Sequence, residues 1–245
     1  MDVNSTNYPK IFDCHLHVDD NFEEYPLALN GGNVIFNSID SYQKKAAKYP
    51  QFNQTLIFDR TQPVAFYTQL ISEKRIVALK IHSRLQQICV DDYPAIIDAL
   101  KQIDETTPII YDAFYYGSDL DFQPSLKGLI SLINAFPQRK FIVAHAGGYE
   151  VLKYFFHLRK YDQVGYDLSF SLQYLADTSC RNDLIKLMKY TPNERLFFGS
   201  DYPGGNPKIQ LDNFNELAAV LQFTEEEIRG VLNQNWEQFL GITQR

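Results

Sequence analysis

The chain has 245 residues, 45% of them hydrophobic, and its 23 basic and 30 acidic residues give a formal net charge of −7 at pH 7. This is enough apolar material for one sizeable core, while the acidic balance argues against a general nucleic-acid-binding surface. No apolar run approaches the ~18 residues that cross a bilayer, so no membrane partner is expected.

The cysteines and the N-terminal residues indicate a cytoplasmic protein. Cys14, Cys89 and Cys180 are far apart, odd in number and without a Cys-x-x-Cys pair, which argues against a disulfide framework or a cysteine zinc site. The first seven residues contain neither the basic region nor the apolar core of a signal peptide. We expect one domain over residues 1–245; the oligomeric state is open.

Short apolar segments alternate with segments of helical periodicity along the chain. The predicted strands are 11–17, 33–39, 54–59, 75–82, 109–114, 140–146, 164–170 and 195–201. The predicted helices are 42–48, 64–72, 93–103, 125–136, 149–158, 181–190, 210–221 and 224–240. This alternation predicts a parallel sheet closed into a (β/α)₈ barrel. A doubly wound open sheet is the alternative, but no glycine-rich phosphate loop follows any strand.

The first strand ends in a His-x-His pair. Side chains alternate across a strand that rises about 3.3 Å per residue, so His15 and His17 project from one face with Cα atoms roughly 6.6 Å apart. Two imidazoles at that separation are able to converge on one metal ion. Taken alone, the pair is equally consistent with two packed or solvated histidines.

Other polar residues fall at the ends of later strands, where barrels of this type carry their functional groups. They are Lys80 and His82 on strand four, Asp112 on strand five, His145 on strand six and Asp201 on strand eight. Four of the five histidines thus occupy predicted strand ends. The fifth, His157, lies inside a predicted helix, where a surface or packing role is expected.

These residue types suit a metal-assisted reaction. Neutral imidazoles and a carboxylate are common ligands of catalytic zinc, with one position left for water. Asp201 and His145 are our candidates for proton transfer, although each also fits a local role before a turn. Arg84, just after strand four, is a candidate for binding a substrate carboxylate or is simply an exposed loop charge.

Several motifs recur in the same order in a known family. They are Phe-Asp-Cys-His-Leu-His at 12–17, Ala-Leu-Lys-Ile-His at 78–82, Phe-Ile-Val-Ala-His-Ala-Gly-Gly at 141–148, Leu-Phe-Phe-Gly-Ser-Asp-Tyr-Pro at 196–203 and Asn-Trp-Glu-Gln-Phe-Leu-Gly-Ile at 235–242. Together they resemble the amidohydrolase-related family of the metal-dependent hydrolase superfamily. The resemblance runs from about residue 11 to 242.

The resemblance implies a distorted (β/α)₈ TIM barrel with extra C-terminal helices and one divalent metal ion, zinc or manganese. It implies His15 and His17 as metal ligands, Asp201 as ligand and proton-transfer group, and His145 as a ligand or a group that polarises the substrate. Lys80, His82, Arg84 and Asp112 are the expected substrate-binding residues. Such families contain hydrolases of amides and lactones, decarboxylases of aromatic or unsaturated acids, and some members that work without a metal.

One position departs from the family pattern. Asp112 stands where many relatives carry a strand-five histidine ligand, and a carboxylate there favours a harder ion such as Mn²⁺. Our first hypothesis is a metal-dependent hydrolase of a small amide, lactone or ester-like substrate. A decarboxylase and a non-catalytic barrel that has lost its metal and binds a small ligand are the alternatives. Phosphoesterases of the polymerase-and-histidinol-phosphatase type are less favoured, because residues 199–203 contain no Asp-x-His.

Overall fold

A computed structural model describes residues 9–18 and 25–242 of the protein. Its eight strands form one parallel sheet in which each strand pairs with the next along the chain. The strands are β1 Ile11–Leu16, β2 Leu29–Phe36, β3 Asn53–Ile57, β4 Ala78–Ile81, β5 Ile109–Asp112, β6 Phe141–Ala144, β7 Val164–Asp167 and β8 Leu196–Phe197. The predicted TIM barrel is confirmed.

Backbone contacts between the last and the first strand bring the sheet nearly to closure. The Cys14 amide donates to the Phe198 carbonyl at 3.0 Å. The His17 amide donates to the Tyr202 carbonyl and the Asp201 amide to the His15 carbonyl, each at 2.7 Å. The segment that carries the two strand-one histidines is therefore bonded directly to the segment that carries Asp201.

Helices follow β2 to β8, as expected for parallel strands joined by crossovers. They are α1 Ile39–Lys45, α2 Val64–Ser72, α3 Ser83–Gln86, α4 Tyr93–Leu100, α5 Leu126–Ala135, α6 Val151–Leu158, α7 Ser171–Tyr174, α8 Cys180–Tyr190, α9 Pro207–Leu221, α10 Glu225–Arg229 and α11 Asn235–Leu240. The sequence missed the one-turn helices α3 and α7. It also predicted one helix over 224–240, where a π-helical turn, Gly230–Gln234, separates α10 from α11.

Several strands end earlier than the sequence predicted. His145, Phe170 and Asp201 have φ values of 58°, 60° and 56°, and this left-handed conformation leaves the extended region that pairing requires. β6, β7 and β8 therefore stop before these residues, which lie in the loops just beyond the strands.

The apolar core has an inner and an outer part. Inside the barrel, a cluster of buried side chains includes Phe12, Ala78, Ile110 and Ile142, and Trp236 of α11 packs onto it. A larger cluster lies between the strands and the surrounding helices. Because both faces of the sheet are buried, the strands read as nearly continuous apolar runs. Among the described residues, no helix is long and apolar enough to cross a membrane.

Candidate active site

A cavity of about 470 Å³ opens at the carboxyl end of the strands. Polar side chains from β1, β2, β4, β5, β6 and β8, or from the loops that follow these strands, face the cavity together with several aromatic side chains. The lining residues are His17, Asn37, Lys80, His82, Arg84, Asp112, Phe114, Tyr116, His145, Phe170, Tyr174, Asp201 and Gly204.

The two strand-one histidines both direct a ring nitrogen at Asp201. The pairing register between β1 and β2 shifts between Asp13 and Leu16. The positions of the two rings therefore differ from those that a regular strand would give. His15 Nε2 lies 3.4 Å and His17 Nε2 lies 3.2 Å from Asp201 Oδ1. The three side chains therefore meet at one point, and their expected role as metal ligands stays a prediction.

The opposite ring nitrogens are fixed by acceptors. His15 Nδ1 lies 2.5 Å from Asp167 Oδ2, and His17 Nδ1 lies 2.7 Å from the Ile35 carbonyl oxygen. Since carbonyl and carboxylate oxygens accept, each neutral ring carries its proton on Nδ1 and presents a lone pair on Nε2. Burial and the charge of Lys80 lower the pKa of His15 to about 4, so this ring is neutral near pH 7.

Asp201 supplies a carboxylate to the same point. Burial raises its pKa, but the neighbouring His17 side chain and the charge of His145 outweigh burial and leave the pKa below the usual range. The carboxylate is therefore ionised near neutral pH. Asp201 Oδ1 faces the lone pairs of the two imidazole rings. A cation placed between these three atoms would stabilise them.

The described residues contain two groups of donor atoms close enough to share a metal ion. One is His15, His17 and Asp201; the other is His15, His145 and Asp167. In the second group the Asp167 carboxylate already accepts from His15 and from the Ser169 amide at 2.7 Å. The first group fits a divalent ion better, because its two imidazoles are oriented by outer hydrogen bonds and its carboxylate has an oxygen directed between them.

His145 lies beside this group with its ring centroid 4.8 Å from that of His15. Its Nδ1 lies 3.2 Å from the Ser169 carbonyl oxygen, and its Nε2 lies 3.5 Å from Asp112 Oδ2. Burial lowers the pKa of His145, but the hydrogen bond with Asp112 and the charge of Asp201 raise it to about 9. His145 thus brings a positive charge to the cavity.

Lys80, His82 and Asp112 form a buried network. Asp112 Oδ2 lies 3.2 Å from Lys80 Nζ and 3.5 Å from His82 Nε2. Burial raises the pKa of Asp112, but His82 and the Lys80 ammonium hold it well below its usual range. Lys80 Nζ also lies 3.3 Å from His15 Nε2, which connects this network to the histidine pair. Arg84 lines the same cavity.

Strained backbone accompanies these residues. Seven described non-glycine residues have positive φ, and four of them, His145, Ala146, Phe170 and Asp201, lie at or beside the cavity. Conformations of this kind cost of order 1–3 kcal/mol each and cluster at functional sites. Their concentration here supports a functional role for this end of the barrel.

Comparisons with known proteins bear on the family resemblance and on the fold. A family model described as "Amidohydrolase" matches residues 122–242. The resemblance to the amidohydrolase-related family is confirmed. A search of curated proteins finds no match to the sequence.

Solved structures with this fold include hydrolases and decarboxylases. A probable 2-pyrone-4,6-dicarboxylic acid hydrolase from Acinetobacter baumannii, with citric acid bound, is 15% identical with a TM-score of 0.68, and the match covers 96% of this chain and 100% of the other. A 2,6-dihydroxybenzoate decarboxylase from Rhizobium is 12% identical with a TM-score of 0.66, covering 96% and 99%. A dihydroorotase from Saccharomyces cerevisiae is 14% identical with a TM-score of 0.65, covering 96% and 84%. At these identities, the likeness establishes the fold alone.

Within this barrel, Asp112 lies in the cavity but outside both groups of close donor atoms. Its carboxylate is engaged by Lys80, His82 and His145. The expectation that it shifts metal selection towards Mn²⁺ stays a prediction. His157 is exposed, and its Nδ1 lies 2.8 Å from the Lys153 carbonyl oxygen of the same helix, as expected for a surface histidine.

The sequence did not single out two buried aspartates beside the candidate site. Asp167 at the end of β7 orients His15. The signal for it in the sequence was an acidic residue at the end of the apolar run 164–167. Asp13 accepts from the His15 and Ser200 amides at 3.0 and 2.9 Å and from the Tyr25 hydroxyl at 2.6 Å. The aromatic residues Phe114, Phe170 and Tyr174 of the cavity were also missed, because nothing in their local sequence separates them from core aromatics.

Proposed function

We propose that this protein is a metal-dependent hydrolase of a small amide, lactone or ester-like substrate. The observation that supports this proposal most directly is the convergence of His15 Nε2, His17 Nε2 and Asp201 Oδ1. The Nδ1 atom of each histidine bonds an acceptor on the other side of the ring. These three residues would hold one divalent ion, zinc or manganese. His145 lies beside them as the expected polarising group, because a protonated imidazole has no lone pair for the ion. Such an ion supplies Lewis acidity, which makes water a usable nucleophile near neutral pH.

Asp201 is placed to handle the proton of the reaction. Its side chain is 21% exposed and faces the cavity, so substrate and solvent are able to reach it. Because its pKa lies below the usual range, the carboxylate is available to accept a proton at neutral pH. A carboxylic acid of that strength releases the proton readily to a departing amine or alkoxide.

His145 is placed to stabilise negative charge. With its pKa raised to about 9, it is protonated near pH 7 and lines the cavity. A fixed positive charge in a largely buried position favours a transition state in which the carbonyl oxygen becomes negative. The Ser169 carbonyl and Asp112 hold the ring in place from its two nitrogens.

Decarboxylation of a small organic acid is the second candidate. The cavity lining contains Lys80, Arg84 and His145, and this positive side suits a carboxylate substrate. In either reaction the partner is a small molecule. The three free cysteines fit a cytoplasmic location.

The test combines metal content with turnover. Elemental mass spectrometry of the purified protein should find a stoichiometric divalent metal. Panels of aromatic lactones, cyclic amides and aromatic carboxylates, followed by ring opening or carbon dioxide release, then separate hydrolysis from decarboxylation. Persistent absence of metal and of turnover after growth in supplemented medium would favour the non-catalytic ligand-binding barrel.

The Asp201→Asn variant tests the proton-transfer role. The amide keeps the shape of the side chain but accepts no proton, so kcat should fall by at least ~10²-fold. Circular dichroism and the unfolding midpoint should show that the fold is retained. Asp98→Asn, at an exposed aspartate paired with Lys101, is the matched control and should leave kcat unchanged. Near-normal kcat in Asp201→Asn would remove Asp201 from the mechanism.

A further inference from the structure

We propose that the outer surface of α6 and α8 is a docking surface for a short acidic segment of a partner protein. This surface, the α6–α8 basic face, carries four cations and two exposed aromatic rings. Its residues are Phe156, Arg159, Lys160, Lys186, Lys189 and Tyr190. None of these residues lines the cavity of the candidate active site, so the proposed binding is separate from the reaction.

Helical spacing brings these residues onto one surface. On α6 and just after it, the positions are three and four residues apart, and the same spacing recurs on α8. Residues at that spacing lie on one side of a helix. Phe156 joins the two helices, because the guanidinium carbon of Arg159 lies 5.7 Å and Lys186 Nζ lies 5.5 Å from the centroid of its ring.

The positive charge of the α6–α8 basic face is not balanced locally. The neighbouring acids are engaged elsewhere, since Asp162 lies 3.6 Å from Arg195 and Glu216 lies 2.5 Å from Arg181. Asp183 is the only acid of α8, and it pairs with none of the four cations. No other carboxylate of residues 9–18 and 25–242 forms an ion pair with them. Like charges held this close repel each other, so an anionic partner is favoured here.

A short acidic peptide matches this face better than a larger polyanion. Neighbouring helix axes lie ~8–10 Å apart and one turn rises ~5.4 Å, so the cations fall within roughly 15 Å, the length of about five extended residues. The chain has a net charge of −7, so the rest of its surface repels a membrane or a nucleic acid that reaches beyond the face. Carboxylates pair with arginine through two parallel hydrogen bonds and with lysine as point charges.

The α6–α8 basic face lies away from the mouth of the barrel. α6 begins after the turn that follows β6, and α8 ends shortly before β8 begins, so both helices run from the cavity towards the amino end of the strands. Arg159 is the C-cap of α6, and Lys189 lies in the last turn of α8. A docked partner would therefore leave the cavity open, and we infer that the face recruits the protein to a partner without closing its site.

The probe is a fluorescein-labelled hexaglutamate peptide, with hexaglutamine as the uncharged probe, and binding is followed by fluorescence anisotropy. Wild-type protein should bind only hexaglutamate, and the affinity should fall as salt rises from roughly 0.05 M to about 0.5 M, because screening shortens the range of charge interactions. The double variant Arg159→Gln, Lys186→Gln should weaken this binding by about tenfold. The double variant Lys44→Gln, Lys101→Gln is the matched control. It removes the same charge at exposed lysines that have acidic partners, and it should bind as wild type does.

A second variant separates binding from stability. Because a positive charge at the carboxyl end of α6 also stabilises that helix, the urea midpoint is measured for every variant. Lys186→Gln alone, at an exposed position one turn before the end of α8, should retain the wild-type midpoint and still weaken hexaglutamate binding by about threefold.

The results that would overturn the proposal are specific. They are no binding of hexaglutamate by wild-type protein, an unchanged affinity in both α6–α8 variants, and equal weakening in the control variant. Tighter binding of oligothymidylate or of phosphatidylserine vesicles through the same residues would assign the face to a nucleic acid or a membrane and would overturn it too. Because turnover is not measured, failure of the proposed hydrolase activity leaves each of these results interpretable.

Discussion

His82 illustrates how its surroundings fix the state of a single side chain. It caps α3, accepting at Nδ1 from the Leu85 amide at 3.5 Å, and its Nε2 faces Asp112. Burial lowers the pKa of His82 to about 4, although the Asp112 carboxylate opposes this shift. The folded protein therefore keeps the ring neutral over a range of pH in which an unfolded chain protonates it.

The stability of the protein should depend on pH through His82. Between about pH 6.5 and about pH 4 the unfolded chain binds a proton there that the folded protein does not, so the free energy of unfolding falls as the pH falls. This histidine contributes up to about 3 kcal/mol to that loss. His82→Gln should therefore reduce the difference in unfolding free energy between about pH 7 and about pH 4.5, measured by urea titration.

His157→Gln, at an exposed histidine, is the control and should leave the pH dependence unchanged. Asp13 acts in the opposite sense, because burial raises its pKa to about 6, but it is present in every variant and cancels in the comparison. An identical pH dependence in His82→Gln and wild type would show that His82 is not held neutral by the fold.

The polar residues of the candidate site were easier to predict from the sequence than the residues that orient them. His15, His17 and Asp201 were predictable because histidines and acids stand out at the ends of apolar strands. Asp167 was not, since its role depends on a contact with His15, 152 residues away, that no local pattern encodes. The aromatic residues of the cavity were missed for the same reason.

At the scale of elements, the order of strands and helices was predictable and their ends were not. Apolar runs mark the strands, because both faces of the sheet are buried. The ends depend on backbone angles such as the positive φ of His145 and Phe170, which tertiary contacts impose. The π-helical turn between α10 and α11 was equally hidden, since the sequence 224–240 keeps a helical pattern throughout.

Helix α5 shows how one glycine sets the distance between elements. A Cβ at Gly128 would lie 2.1 Å from Cζ of the Tyr93 ring on α4. That ring is not free to move, because it is buried and the Tyr93 hydroxyl bonds the Tyr111 hydroxyl at 2.6 Å. Tyr111 in turn accepts from the Ser125 amide at 2.8 Å, at the start of α5.

We expect Gly128→Ala to destabilise the protein. The better helix propensity of alanine favours the variant by ~1 kcal/mol, whereas overpacking against the tyrosine ring typically costs ~1–3 kcal/mol. The net effect on the free energy of unfolding should be a loss of up to about 2 kcal/mol, measured by urea titration. Lys127→Ala, at the exposed neighbouring position, should stay close to wild type. A Gly128→Ala variant as stable as wild type would mean that α4 and α5 are not tightly packed there.

The architecture of the whole molecule was predictable because eight strands alternate with helices and no pattern indicates an open sheet. The contacts that close the barrel at its two ends were less predictable. At the carboxyl end, backbone bonds from His17 and Asp201 join β1 to the segment after β8. At the amino end, α11 brings Trp236 onto Phe12 and Phe197, with ring centroids 6.5 and 5.7 Å apart.

Trp236 should therefore stabilise the barrel as a whole rather than its own short helix. The side chain is 2% exposed and packs on the first and last strands, so its loss leaves a cavity where the sheet meets itself. Trp236→Ala should lower the free energy of unfolding by ~3–5 kcal/mol, and Trp236→Phe should lower it by less. Because this is the sole tryptophan, the variants are compared by circular dichroism rather than fluorescence.

The shape of the transition separates a global role from a local one. If α11 closes the barrel, Trp236→Ala unfolds in one transition whose midpoint is shifted to lower urea and whose denaturant dependence is unchanged. Leu85→Ala, at a side chain 47% exposed on α3, is the control and should differ little from wild type. A Trp236→Ala protein with wild-type stability, or one that loses a small early step while the main transition stays in place, would show that α11 is only an appendage to an already stable barrel.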